Sequence, residues 1–563
     1  MIGCGCCWWS TRSETLSTEP EPEPEPEPKV FTLPAPLLRW PQGEGFATGR
    51  VHIGELEVRK ITTLQSIWSC IPVRGKRKGI TFYRPTGIPD GFHCLGYYCQ
   101  RSNEPLRGFL LVARDMAIAD QPSLVKPLGY TLICSADASR VGPGYFWIPD
   151  PPKGYRAAGF LVTGSPSEPS PDEVRCVRHD LTEDCEACHL ILDADSGISK
   201  YPFWVWSSRP RKRGMLARGV SVGTFFCTSH LSPEHGLRLA CLRNLNPELL
   251  AMPNLDQVHA LIKHYGPTVF FHPDEVYLPS SVNWFFDNGA RLYRDGKAHS
   301  ESVASSGSNL PYGGTNDGKY WIDLPSDEEK RDNLIYGNLE SAELYVHVKP
   351  ALGGIFTDIA MWVFCPFNGA VTLKVGPASV SMNKLGEHVS DWEHFTLRVS
   401  NFTGELWSVY CSQHDGGEWV DASTLEFLEG NRPVIYSSKS GHASYAHPGS
   451  HLQGPSKLGI GLRNDTARSE IYVDSSIRYR IIAAEYLGND AIEEPCWLQY
   501  MREWGPTVTY NARSELEKII NQLPVFVRFS VENLIDLFPT QLWIEAGPTG
   551  PKEKDNWLGD ERW

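Results

Sequence analysis

The stretch "KLGEHVSDWEHFTLRVS", Lys384–Ser400, places Glu387, His388, Asp391, Glu393 and His394 within eight residues and then runs into apolar alternation. Alternation with period two marks a strand with one buried face. From Asp391 onward, Asp391, Glu393, Phe395, Leu397 and Val399 share one face, and His394, Thr396 and Arg398 share the other. Two neighbouring carboxylates therefore lead into the face that should be buried. Such a pair repels itself and loses hydration, so it either takes up a proton or finds a cation. His388 has the wrong parity for a straight strand. A turn or bulge in "GEHVS", eased by Gly386, would bring it round. His394 reads as an outer or structural residue on the opposite face.

Six of the 17 histidines fall between 388 and 451. Adjacent antiparallel strands would bring His388, Asp391, Glu393, His414 and His442 to one end of a sheet. Mixed His/Asp/Glu ligation suits Mn²⁺, Fe²⁺ or Zn²⁺, and an oxygen-rich subset suits Mg²⁺ or Ca²⁺. The residue types leave a second reading open, in which these are strand-end histidines hydrogen-bonded to carboxylates.

The chain around this stretch has 563 residues, 41% hydrophobic and 21% charged, with 50 Gly and 43 Pro. That mixture suits many short strands joined by turns. A net charge of −14 argues against a nucleic-acid partner. The basic runs "RGKRKG" (Arg74–Gly79) and "RPRKRG" (Arg209–Gly214) read as solvated loops, with a lipid or phosphate site as the alternative. The first residues, "MIGCGCCWWSTRSE", carry neither a basic nor an apolar leader region, which predicts a cytoplasmic protein. Cys4, Cys6 and Cys7 beside Trp8 and Trp9 are sites for S-acylation, which would make it peripheral to a membrane; a plain tail is the alternative. The 15 cysteines read as reduced thiols. Within "CVRHDLTEDCEACH", Cys176, His179, Cys185 and Cys188 have zinc-ligand types, although the segment also reads as a strand and a loop.

Residues 1–29 form a tail ending in a Glu-Pro repeat, an extended stalk of about 30 Å. Residues 30–245 are repetitive. "IPDGFHCLGYY" (Ile88–Tyr98) aligns with "PPKGYRAAGFL" (Pro151–Leu161), 63 residues apart, and a third copy is hinted at near "MLARGVSVGTFF" (Met215–Phe226). Two or three such sheets around a pseudo-symmetry axis would make a β-prism-like domain. Residues 246–563 read as a β-sandwich with a few peripheral helices. Asn254 caps one helix that ends at Gly266-Pro267, and capping boxes stand at Ser326/Glu329 and Ser514/Glu517. The terminal "GPTGPKEKDNWLGDERW" should wrap over the surface or trail.

"GEHVSDWEHFTLRVSNFTGELW", "GHASYAHPG", "GPSKLGIGLRNDTA", "EPCWLQYMREWGPT", "WPQGEGFATGR" and "GITFYRPTGIPDGFHCLG" resemble the plant vacuolar protein sorting-associated protein 62 family, a domain of unknown function. "YRPTGIPDGF" is also similar to segments of the large vacuolar protein sorting-associated 13 lipid-transfer proteins. Over about residues 260–450, "HVSDWEH…SQHDGGEW…SKSGHASYA" resembles the necrosis- and ethylene-inducing-like proteins. That likeness implies a β-sandwich whose acidic-histidine cleft holds a divalent cation and contacts sphingolipid sugar headgroups. By matching positions, His388 falls on the first motif histidine, Asp391 and Glu393 on the acidic pair, and His414 and His442 on the later histidines. Asn368, in "VFCPFNG", falls where that family has an Asp and so becomes a further ligand or a water anchor. Ser390 stands where that motif has its second histidine, and the glycine is displaced to Gly386.

The resemblance implies a metal-dependent binding module for a polar lipid headgroup or glycan, with Mg or Ca favoured over Mn or Zn and trafficking proteins as partners. The competing expectations are a metal-dependent hydrolase with Glu393 or Asp391 as base, and a purely structural trafficking scaffold.

Overall fold

The computed structural model describes residues 30–561 apart from 71–78, 103, 117–120, 139–141, 193–203, 229–237, 376–377, 383, 415, 455–459, 489, 509–524 and 526–546. The Glu-Pro repeat, Cys4, Cys6, Cys7, most of "RGKRKG" and the Ser514/Glu517 capping box lie outside the described residues. Strands take 43% of the chain and helices 10%, so the protein is mainly β as its turn-rich composition predicts.

In the N-terminal half, one pairing pattern recurs three times. A hairpin with a third strand appears as Leu64–Cys70, Ile80–Pro85 and Tyr98–Arg101, again as Gly129–Ala138, Gly142–Asp150 and Leu161–Thr163, and again as Thr182–Leu192, Trp204–Pro210 and Phe225–Thr228. A second pairing accompanies each copy: Leu56–Ile61 with Leu110–Asp115 and His93–Cys94, Leu124–Val125 with Cys176–Arg178 and Tyr155–Arg156, and Thr182–Leu192 with Ala240–Arg243 and Gly219–Val220. The third copy, only hinted at by residue identity, is complete in its pairing. Small residues let the copies close on one another. A Cβ on Gly159 would lie 2.5 Å from Thr224 Cγ2 and 2.9 Å from Gly96 Cα. The Thr224 hydroxyl donates to the Ala158 carbonyl at 2.7 Å, and Tyr97 N donates to the Phe160 carbonyl at 2.9 Å.

The C-terminal half is built on a six-stranded sheet in the order Gly416–Asp421, Leu406–Gln413, His388–Ser400, Phe356–Asn368, Leu344–Ala351, Tyr479–Ala483. Phe356–Asn368 lies at its centre. One face packs Ile359, Met361, Val363 and Cys365 against Phe395, Leu397, Val269, Ile435 and Val473, the last three from a second sheet. The other packs Trp362 and Phe364 against Phe285, Trp392, Trp497 and Trp504. Burial on both faces explains why "GIFTDIAMWVFCPFNGAV" is nearly continuous apolar sequence. No helix among the described residues is long and apolar enough to cross a membrane.

Helix caps follow local chemistry with one correction. Asn254 accepts from Gln257 N while the Gln257 side chain accepts from Asn254 N, and Gly266 ends the helix Leu255–Tyr265. The helix Glu328–Ile335 is capped by Asp327, which accepts from Lys330 N, and not by Ser326. Both residues are good caps, so the helix start sets which one is used. The terminal segment does more than trail. Trp557 is buried and stacks on His347 at 3.9 Å, and Lys349 Nζ donates to the Asn556 and Gly559 carbonyls.

Candidate functional site

The strand His388–Ser400 pairs antiparallel with Phe356–Asn368, setting Cys365 opposite Asp391 and Asn368 opposite His388. The parity read from the sequence holds from Asp391 inward. Phe395, Leu397 and Val399 enter the core between the sheets, whereas His394 and Thr396 meet Glu561 of the terminal segment at 2.9 and 2.6 Å. The ladder skips Ser390, a buried non-glycine residue with φ +58°, while the register on either side of it is unchanged. Val389 consequently packs with Trp392 and Phe364 on the opposite face from Asp391. This left-handed residue, without a bulge, turns His388 toward the Asp391 side, with Gly386 (φ +88°) in the preceding turn. The His388 ring donates from Nδ1 to the Ser390 carbonyl at 3.0 Å, and burial holds its pKa below the ordinary histidine value.

Asp391 and His442 meet directly. Asp391 Oδ2 lies 2.8 Å from His442 Nδ1, and both side chains are buried. The loop carrying His442 is strained, with Ser440 at φ +67° and His442 itself at φ +49°. Glu275 holds it in place. One carboxylate oxygen accepts from Val276 N and Tyr277 N at 2.9 Å each, and the other accepts from Ser440 N at 2.6 Å. His442 Nε2 then faces the Tyr277 carbonyl at 2.9 Å, with Glu275 at 3.9 Å. A carbonyl can only accept, so Nε2 carries a proton, and Nδ1 donates to the Asp391 carboxylate. Burial opposes a charged ring here, but the Cys365 sulfur, Asp391 and Glu275 raise the His442 pKa well above its ordinary value. The same contact works in reverse on Asp391: burial disfavours its charge, and His442 nonetheless holds its pKa below the usual carboxylate range.

In this geometry both ring nitrogens of His442 are engaged. Among the described residues no group of three or more His, Cys, Asp and Glu side chains is placed to hold a metal ion. His414 Nε2 contacts Asn464 Oδ1 at 3.0 Å, and its ring lies against the loop at Gly441, where a Cβ would come 3.1 Å from His414 Cε1. Asn368 donates through Nδ2 to the Gly386 and Gly369 carbonyls at 2.6 and 3.1 Å, so it pins the turn ahead of the motif. Cys176, His179, Cys185 and Cys188 likewise form no zinc group. Burial pushes the Cys176 thiol up to about 12, and Cys185 donates to the Leu239 carbonyl at 3.3 Å.

Glu393 faces a different environment. Burial, then the Asp391 charge, pushes its pKa up to about 8. It lines a cleft of about 300 Å³ with Trp362, Trp392, Tyr410, Ser412, His414, Lys554 and Asn556. The indole N–H groups of Trp362 and Trp392 have no hydrogen-bond partner among the described residues, although both rings are buried. A buried unpaired N–H is costly. Glu275, Lys554 and the two indoles escape a reading of the sequence. Glu275 lies over 100 residues upstream of the motif and Lys554 over 150 downstream, and a tryptophan in an apolar run reads as core.

The model of the family described as vacuolar protein sorting-associated protein 62 matches residues 27–561. A Saccharomyces cerevisiae relative, vacuolar protein sorting-associated protein 62, is 23% identical over 289 residues, covering 44% of this chain and 60% of the relative. The chain thus spans about three fifths of the length of the curated relatives it matches. Among solved structures, GNIP1Aa from Chromobacterium piscinae overlaps with a TM-score of 0.29 at 15% identity, covering 37% of this chain and 40% of that one. NLPPya in complex with glucosamine overlaps with a TM-score of 0.19 at 14% identity, covering 38% and 75%. Overlaps of this size carry no argument about the fold.

Proposed function

The chain belongs to the vacuolar protein sorting-associated protein 62 family, and from that premise we propose that it serves vacuolar sorting by binding a hydroxyl-rich lipid headgroup or glycan in the Glu393 cleft. One observation carries the reading: a cleft of about 300 Å³ sets the Glu393 carboxyl, pushed up to about 8, beside Ser412 and the rings of Trp392 and Tyr410. At neutral pH this carboxyl is largely protonated and donates as well. The carboxyl and the Ser412 hydroxyl suit a ligand rich in oxygen acceptors, and Tyr410 and Trp392 supply ring surface for the apolar face of a sugar or polyol. No bond-breaking step is invoked.

The test is titration of the protein with glucosamine, myo-inositol and glycerophosphoinositol, followed by tryptophan fluorescence and calorimetry. Ser412→Ala removes one hydroxyl from the cleft wall, so affinity should fall roughly tenfold for one lost hydrogen bond. Binding of none of the three probes, or unchanged affinity in Ser412→Ala, would overturn the assignment.

A further inference from the structure

The basic run Arg209–Gly214 has no part in the cleft, and its surroundings give it a role of its own. The loop is held by its backbone. Arg211 N donates to the Asp184 carbonyl at 3.0 Å, Ala217 N to the Gly214 carbonyl at 3.1 Å, and Met215 N to the Leu558 carbonyl at 2.9 Å. Gly214 takes φ +102°, and a Cβ there would lie 2.7 Å from the Leu558 oxygen. So fixed, the loop directs Leu216 outward at 79% exposure, with Leu558 beside it at 59%. Arg209 is neutralised by Glu186 at 2.9 Å, and Arg213 reaches Glu186 at 3.6 Å and Asp560 at 3.7 Å. Arg211 and Lys212 are exposed and enter no ion pair among the described residues.

Two unneutralised cations beside two outward leucines form an amphipathic tip on a chain of net charge −14. We propose that the loop Arg209–Arg218, with Leu558, is a docking surface for an anionic lipid membrane. The cations suit acidic headgroups, each contributing about 1 kcal/mol near such a surface. The leucines set a membrane apart from a nucleic acid or an acidic protein, because a bilayer also takes up apolar side chains below its headgroups. Because Leu558 belongs to the segment that lines the Glu393 cleft, docking would bring that cleft toward the bilayer. The surface stands whatever the cleft binds.

Flotation of the full chain with phosphatidylcholine vesicles, with and without phosphatidylserine, tests this. Capture should require phosphatidylserine and weaken as salt rises. Arg211→Ala with Lys212→Ala should lower partitioning roughly 30-fold, the effect of two such cations. Leu216→Ser should lower it roughly tenfold with the charge unchanged. Both changes are at exposed side chains, so Tm should not move; if the double variant does unfold, Lys212→Ala alone should cost about fivefold. Equal capture by neutral vesicles overturns the proposal, as does unchanged partitioning in the charge variant. Wild-type capture by Leu216→Ser together with equal retention on soluble heparin would show a polyanion site and not a membrane surface.

Discussion

The two halves of this protein bury different balances of ionisable residues, although Glu57 is fully buried beside Arg114 in the N-terminal half and Cys365 and Cys411 are buried thiols in the C-terminal sheet. The repeated N-terminal sheets enclose thiols and aromatic rings: Cys70, Cys94, Cys99, Cys227 and Cys241 lie in one core with Phe82, Phe146 and Phe225. Burial pushes Cys70 up to about 11 and Cys94 up to about 12, so these groups stay neutral. The six-stranded sheet encloses charges. Arg398 makes two bonds to Asp358, at 2.8 and 2.7 Å, and Asp391 meets His442. Glu561 bridges His394 and Thr396 from 167 and 165 residues away. A neutral core depends mainly on shape, so a repeat can build it. A charged core depends on every partner arriving from a distant segment.

Arg398→Met or Asp391→Ala should break that contrast most strongly. Each leaves a buried charge without its partner, which costs about 3–5 kcal/mol, and Cys94→Ala in the N-terminal core should cost less than either. Denaturant unfolding of the three variants checks the order, and similar midpoints would erase the distinction.

Acid should sharpen it next. Burial disfavours the Glu561 charge, but His394 and Lys349 hold its pKa down to about 2 against an ordinary 4.5. A depressed folded-state pKa contributes stability that is complete above about 4.5 and is lost as pH falls through about 2, roughly 3 kcal/mol in all. Hydrogen exchange between pH 5 and 2 should therefore open the terminal segment before the N-terminal sheets. Glu561→Gln should abolish that pH dependence.

The N-terminal half should fail by overpacking instead. Gly159→Ala places a methyl 2.5 Å from Thr224 Cγ2 and should cost about 1–3 kcal/mol, independent of pH. The smallest effect is Asp327→Ala, about 1 kcal/mol for one lost helix cap, with Ser326→Ala near zero. Equal effects of these two on Tm would restore Ser326 as the cap.

Much of the site was readable because strand alternation is a local property. It sorted Asp391 and Glu393 from His394 and Thr396, and it showed that the acidic pair needed compensation. It could not say what compensates them. The group that meets Asp391 is His442, whose ring is oriented by the Tyr277 carbonyl that Glu275 places beside it. Asn368, a candidate further ligand or water anchor by sequence, donates to the Gly386 carbonyl and so pins a turn.

What the sequence determined by itself is whatever depends on residues a few positions apart. This covers the mainly β character, two of the repeated units, the Asn254 cap and the two faces of the motif strand. Only the tertiary structure decided the third copy of the pairing, the turn at Ser390, the Asp391–His442 pair and the closure of the sheet by Glu561. The physical reason is reach. Backbone geometry imposes its period on neighbouring residues, whereas a buried charge is satisfied by whichever group the folded chain brings within about 3 Å, however distant in sequence.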